Sequence, residues 1–499
     1  MGRFSKLVVV CLWPVALASE QTQTCVDRRP AEHERTFRSR VVDEEVERIA
    51  ASLEDADLAC MFRNAFPNCL DTTVYSTEQI DTGVDDTFIV TGDIPAMWLR
   101  DSMNQVLPYM RYAKTDPALG RLLRGLVERQ TSQIKRDAYA NAHNFDGSGG
   151  AVAAQHSDDQ TSKPSFLDTT VTGMTPFIFE RKYELDTLCA FLKLSAEYYR
   201  ATSDHTPFHR DWMMAVEIVV QVMTSQQSST ADDQGIYRFQ RSASEPTDTL
   251  AHGKGFPAAR TGLVRSAFRP SDDATQYAFL IPANAMAVVE LKNVAHVLRE
   301  TKHQFEYDVQ EHSRHLADRV DRLAWEIDEA LKREAVVMHG HRREEVYAYE
   351  VDGFGNVFHM DDANVPSLLS LPYLGYVKSS DATYLATRRV VLNNKTNPYY
   401  FEGLSGEGVG SPHTGIDQIW PMSIIMRALT SEHDHEIIEC LELLKSTTGS
   451  HWVMHESFFK NDASIFSRPW FSWANSLFGE LIVRLWHDKP HLVKATISV

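Results

Sequence analysis

Cysteine is scarce, six in 499 residues, and none sits in a CxxC pair or a Cys/His cluster at zinc spacing, so structural zinc is not expected. Basic charge is in deficit. Fifty Lys and Arg against 68 Asp and Glu leave a formal charge of -18, the wrong sign for a nucleic-acid binder. Beyond the N-terminus there is no uncharged apolar run of about 18 residues, so no stable membrane span is expected. With 24 Gly and 20 Pro, the composition excludes collagen-like and low-complexity classes. GxSxG, GxxxxGK[ST] and HExxH are all missing, which removes the serine-hydrolase elbow, the phosphate loop and the zincin pair. Asp361-Asp362 suggests a calcium ligand, but no EF-type spacing follows it. No metal or other cofactor is called for.

The first eighteen residues stand apart. Arg3 and Lys6 precede the apolar stretch Leu7–Val15, and Ala16-Leu17-Ala18 offers small residues for cleavage. That is the layout of a secretory signal peptide, with an uncleaved anchor as the alternative. Secretion, or residence in the secretory pathway, is the expected localisation. Cys11 leaves with the leader, and Cys25, Cys60, Cys69, Cys189 and Cys440 remain. An odd count in an oxidising compartment requires a free thiol or an intermolecular pair. Cys60 and Cys69 are close enough to bridge, with Cys25 a rival partner. Asn394-Lys395-Thr396 is a glycosylation acceptor if the chain enters that pathway.

Helical periodicity dominates the rest. Leu316, Val320, Leu323, Ile327 and Leu331 form one apolar stripe, and Ile437, Leu441 and Leu444 a shorter one. The same signal covers 42–54, 102–113, 117–136, 186–201, 211–224, 284–302, 380–391, 421–430 and 474–486. Strand signals are brief, as at Thr87–Thr91 and Glu345–Val351. The chain reads as mainly α. Long connections are unusual in compact domains unless they carry function. Here 91–101, 262–284, 352–366, 397–420 and 451–475 are dense in rings, carboxylates, Arg, Asn and His, whereas 145–165 and 225–256 read as solvated excursions. No linker divides the chain. A 19–40 extension and a single 41–490 domain follow, a toroid of paired helices with its site at one end.

Three constellations carry the chemistry. In Phe268-Arg269-Pro270-Ser271-Asp272-Asp273-Ala274, adjacent acids either cap a helix start or serve a polar pocket with Arg269 and Tyr277. In His455-Glu456-Ser457-Phe458, a carboxylate sits among His451, Trp452, Trp470 and Trp473, with Arg468 close in sequence. Thr91 to Ser102 joins Asp93, Trp98, Arg100 and Asp101, the last two also readable as a structural ion pair. Similar mixtures occur at Asp137–Asn141, Glu184–Asp186, Asp361–Asn364 and Gly410–Gly415. Rings that stack on sugar C–H faces, with Arg and carboxylates for hydroxyls, are the usual grip on a saccharide. Paired carboxyl groups are the simplest cofactor-free route to hydrolysis.

TGDIPAMWLRDS, ERKYELD, FRPSDDA, EVDGFGN, MDDANVPSLLSLPYLGY, GSPHTG, HESF and RPWFSWANSLFGEL, in that order over about residues 40 to 488, resemble glycoside hydrolase family 125, the metal-independent exo-acting α-1,6-mannosidases. The leader and the Ser/Gln-rich insertions look like its fungal branch. The resemblance implies an all-α (α/α)6 barrel, no metal or cofactor, and mannose-containing oligosaccharides or glycans as partners. It implies an inverting mechanism, with the general acid at Asp272 or Asp273, the latter preferred, and the general base at Glu456. Inversion sets such carboxyl groups roughly 6.5–9.5 Å apart. Mannose contacts are implied at Trp98, Arg100, Asp101, Asn141, Glu184, Asp186, Arg269, His413 and Arg468. Alternatives are a non-catalytic mannan-binding protein on this fold, a calcium-dependent α-mannosidase, and a glucan-acting enzyme on the same barrel.

Overall fold

The computed structural model describes residues 25–79, 83–148, 156–162, 173–232, 237–242, 245–341 and 343–494, so the expected leader lies outside the described residues. Among them are thirteen α-helices: α1 Arg40–Ala50, α2 Ala56–Ala65, α3 Asn68–Thr72, α4 Leu99–Val106, α5 Pro117–Asp137, α6 Leu185–Thr202, α7 Arg210–Ser225, α8 Ile281–Thr301, α9 Tyr307–Glu334, α10 Ala382–Val391, α11 Pro421–Leu429, α12 Asp434–Ser446 and α13 Ser472–Asp488. All eleven expected helices are present. The helix missed is α2, with its short successor α3. Its buried side includes Leu58, Met61 and Phe62, but Cys60, Arg63 and Asn64 interrupt the stripe.

The helices divide into two rings by burial. In α6 and α8 most residues are buried, on more than one face, as expected for an inner helix with neighbours on several sides. By contrast α9 buries the stripe Leu316, Val320, Leu323, Ile327 and Leu331 and leaves Trp325 exposed. Inner contacts run from α4 to α6 to α8, and from α11 to α13 back to α4. The gap between α8 and α11 holds a turn-rich segment at 366–376. Its Tyr373 hydroxyl donates to Glu480 of α13, and Gly375 lies against Val289 of α8. Outside, α5 packs on α7, α9 on α8 and α12 on α11.

The capping differs between the rings. Several outer helices start on side-chain caps, Ser39 for α1, Asp55 for α2, Asp116 before Pro117 for α5 and Asp381 for α10, although α9 and α12 do not. The inner α4, α6, α8, α11 and α13 start at Trp98, Glu184, Leu280, Trp420 and Phe471, with no side-chain cap. Those residues belong to the loops and short strands that gather at one end of the toroid. Both strand signals were real: the first forms Asp85–Ile89, two residues earlier than expected, and the second divides into Glu344–Tyr347 and Glu350–Val351.

Cys25 bridges Cys60, and Cys69, Cys189 and Cys440 are free and buried. The rival partner therefore takes the disulfide, and Cys69 hydrogen-bonds with Thr73 instead. Arg29 adds a second tie, with Nε 2.8 Å from Asp71 and Nη2 2.7 Å from Asp43. These contacts hold the described part of the N-terminal extension against α1–α3.

Candidate active site

Three small antiparallel sheets aim the functional loops. In the first, Met97–Trp98 pairs with Ala142–His143, which pairs with Ile178–Glu180. This sets Trp98, Asn141 and Glu180 side by side. In the second, Phe279–Leu280 and Val357–Phe358 flank Glu350–Val351. Glu350, fully buried there, accepts from Arg269 Nε at 2.6 Å and from the backbone N–H of Gln276 and Tyr277. It thereby pins both arms of the Arg269–Asp273 loop. In the third, Ser457–Phe459 lies between Gln418–Ile419 and Asp462–Ser467 and fixes Glu456 just before it.

The loops enclose a cavity of about 220 Å³ lined by Trp98, Arg100, Asp101, Asp272, His413, Glu456 and Arg468. Trp420, Phe471 and Trp473 supply further ring surface, and Lys182, Arg241 and Asp248 further charge. It adjoins a wider basin of about 960 Å³ that includes Asp273 and shares Asp272, His413, Lys182 and Arg241 with it. A small pocket giving onto a broad basin suits one terminal sugar with the remaining chain outside.

Arg100 is the electrostatic hub. Its Nη1 is 2.5 Å from Glu184 and 3.5 Å from Asp186, and its Nη2 is 3.3 Å from Asp101 and 3.4 Å from Asp272. Four carboxyl groups around one guanidinium do not all ionise freely. Burial raises all four. It pushes Asp101 and Asp186 up to about 6 and Glu184 well above the carboxylate range. For Asp272 burial is outweighed by Arg100, Lys182 and a hydrogen bond from Glu184, which hold it well below that range. Asp272 Oδ1 also accepts from Trp98 Nε1 at 3.3 Å and Asn141 Nδ2 at 3.1 Å, and Lys182 Nζ donates to its carbonyl at 2.7 Å. It is a fixed anion, on a backbone with φ 68°, the left-handed region that a non-glycine residue rarely takes without a constraint.

Its neighbour Asp273 is in the opposite condition. Burial raises its pKa, with His413 opposing, and its Oδ2 is buried without a hydrogen-bond partner. His413 Nδ1 stands 3.7 Å from that oxygen. Burial disfavours the charged form of His413, but Asp273, Glu456 and Asp272 outweigh it and raise its pKa. Glu456 Oε2 accepts from Ser467 at 2.8 Å, and Oε1 is 3.4 Å from Arg468 Nη1. Arg468 is itself paired with Asp93. One acid is thus poised to keep a proton and another carboxylate is held by donors on a different loop, the division of labour that acid/base hydrolysis needs.

Of the residues read from sequence, Trp98, Arg100, Asp101, Asp272, His413, Glu456 and Arg468 face the small cavity. Asn141, Glu184 and Asp186 stand behind it, bonded to Asp272 or Arg100. Arg269 turns away to Glu350 and lies over Tyr349 and Phe358. Its backbone N–H donates to the Asp273 carbonyl at 2.8 Å, so it braces the acid-bearing loop. Asp361 and Asp362 are also braces. Asp361 caps the N–H groups of Leu368 and Leu369, and Asp362 accepts from Asn364 and Ser411.

Sequence reasoning missed Lys182, Arg241, Asp248 and His156. The last three come from 145–165 and 225–256, so the reading of those stretches as purely solvated is corrected. Arg241 bonds Asp159 at 2.6 Å and lies 2.9 Å from Glu180 and 3.0 Å from Asp248. Polar composition hid that network; the Arg and Asp residues scattered through both stretches were the available signal.

Residues 55–483 match the family described as metal-independent α-mannosidases, GH125. The chain is 42% identical over 490 residues to the meiotically up-regulated gene 157 protein of Schizosaccharomyces pombe (strain 972 / ATCC 24843), covering 94% of this chain and 90% of that one. A Streptococcus pneumoniae metal-independent α-mannosidase, solved in a non-productive complex with α-1,6-mannobiose, superposes with a TM-score of 0.79 at 37% identity, covering 90% of this chain and 98% of the other.

Proposed function

The chain belongs to the metal-independent α-mannosidase family GH125, and we propose that within it the protein is an exo-acting, inverting α-1,6-mannosidase. The (α/α)6 barrel and the α-mannosidase class of glycoside hydrolase stand on that membership and on the structural match. The observation that carries the finer reading is the pairing of two differently held carboxyl groups: Glu456 in a pocket sized for one sugar, and Asp273 where that pocket meets the basin.

The terminal mannose occupies the small pocket among Trp98, Trp420 and Trp473, with Arg100, Asp101 and Arg468 for its hydroxyls. Glu456 takes a proton from a water, whose oxygen attacks the anomeric carbon as the glycosidic C–O bond breaks. Asp273 gives its proton to the departing oxygen. The products are β-mannose and a glycan shorter by one residue. The bound disaccharide of the streptococcal relative supports α-1,6-linked mannose as the substrate.

Passage through the secretory pathway is part of the proposal. It is supported by the Cys25–Cys60 disulfide, a bond of oxidising compartments, and by the exposure of the acceptor Asn394.

Following the anomeric signals of α-1,6-mannobiose by NMR, with and without chelator, tests the reading. β-Mannose appearing first in both samples is expected. α-Mannose first overturns inversion, and binding without cleavage moves the protein to the mannan-binding alternative.

A further inference from the structure

A second cavity, of about 590 Å³, lies within the barrel toward the other ends of the inner helices. Its walls come from the turn after α4 (107–111), from the C-terminal half of α6, from the middle of α8 and α13, and from residues 373–375. The size is that of a small-molecule site.

Two charged residues of the inner helices are buried at this cavity. Lys193 follows Phe191 and Leu192 in α6, and Glu290 follows Val288 and Val289 in α8; both are buried, at 7% and 2% exposure. Among the described residues Lys193 forms no hydrogen bond and no ion pair; its ammonium lies over the Tyr373 ring, 5.0 Å from the centroid. The other charges here are mostly spoken for. Arg484 pairs with Glu480 at 2.6 Å, Arg200 with Glu197, and Glu290 accepts from Asn293 at 2.9 Å. That leaves Lys193, with exposed Arg111 on the lining, as cations without a carboxylate in contact. Burial pushes Glu290 up to about 7, with Lys193 opposing, so the lining acid that has no arginine partner is held toward neutrality. An ammonium removed from bulk water and left without an anion in contact is costly unless the cavity's occupant compensates it.

We propose that this cavity is a binding site for a small anionic metabolite of sugar-phosphate size, its oxyanion seated on Lys193 Nζ with Arg111 at the rim. Phosphate and carboxylate share the required chemistry, three or two acceptor oxygens for an ammonium donor.

Calorimetric titration of the full chain with inorganic phosphate, acetate and glucose 6-phosphate tests this. Saturable millimolar binding of at least one probe is expected, weakened about tenfold or more by Lys193→Met, the loss of one charge-assisted contact, and unchanged by Glu456→Gln in the distant pocket. Phosphate binding without acetate binding identifies a phosphoryl ligand; the reverse identifies a carboxylate. No binding by any probe, binding indifferent to Lys193→Met, or binding abolished by Glu456→Gln overturns the proposal. Mannosidase turnover by the Lys193→Met variant certifies its fold, and if it does not fold, Arg111→Gln on the exposed rim carries the same comparison.

Discussion

His413 Nδ1 lies 3.7 Å from Asp273 Oδ2, an oxygen with no hydrogen-bond donor of its own. The histidine is therefore the nearest positive influence on a buried carboxyl group whose pKa burial has raised. An acid that must arrive protonated loses activity as pH rises through its pKa. Removing the His413 charge raises the Asp273 pKa further, so His413→Asn is expected to move the alkaline limb of kcat/KM to higher pH. Asp273→Asn is expected to lower kcat by about 10²–10⁴-fold and to abolish that limb. A pH profile of each variant checks both, and an alkaline limb surviving in Asp273→Asn would transfer the acid role elsewhere.

Asp272 provides the contrast, because it already holds its negative charge against Arg100, Trp98 and Asn141. Asp272→Asn is expected to raise KM, by disturbing the pocket wall and the Arg100 cluster, while the alkaline limb stays. Steady-state kinetics across pH decide between the neighbours, since only the acid takes the limb with it.

Glu456→Gln keeps the side-chain shape and the contact with Ser467 but cannot accept a water proton. Turnover is expected to fall about 10²–10⁴-fold, with binding of α-1,6-mannobiose retained by calorimetry. Full turnover in this variant would remove Glu456 from the base role.

His143 sets an acid limit on stability. It is fully buried with neither ring nitrogen hydrogen-bonded, and burial, joined by Arg136 and Arg129, brings its pKa down to about 3. The unfolded chain takes up this proton near pH 6.5 and the folded one only near the depressed value. Stability from this site is therefore complete above about pH 6.5 and is lost as pH falls, by at most ~1.4 kcal/mol per unit. His143→Phe is expected to flatten the fall in denaturant midpoint between pH 6 and 4 relative to the unmodified chain; equal slopes would assign it to other groups.

Most helices were legible because an amphipathic or wholly apolar pattern survives in sequence whatever the partner; the α9 stripe from Leu316 to Leu331 is the clearest case. The carboxylates, Arg100 and the tryptophans were legible because such residues cluster on connections only for a reason. Direction was not legible. Nothing in the string Arg269-Pro270-Ser271-Asp272-Asp273 says that Arg269 turns back to Glu350, or that a positive φ at Asp272 sends adjacent acids into different surroundings. Lys182, Arg241 and Asp248 were hidden for a related reason. They meet across distant segments, Lys182 and Arg241 both at Asp248 and Glu180, so only the fold shows them converging.

Gly479 illustrates a constraint that helix propensity alone would misjudge. It sits in the middle of α13, where alanine is favoured by ~1 kcal/mol. A Cβ there would fall on the Phe66 ring edge and within 3.0 Å of Phe66 Cα, so the obstruction includes backbone that a rotamer change does not move. Overpacking of this kind costs about 1–3 kcal/mol. Gly479→Ala is accordingly expected to lower the denaturant midpoint, despite the better helix former. Phe66→Leu, which trims the ring but leaves the Cα, is expected to cost less in the Gly479→Ala background than alone. A double-mutant cycle measures that coupling, and strict additivity, or a more stable Gly479→Ala variant, would show that α13 shifts away from Phe66 at no cost.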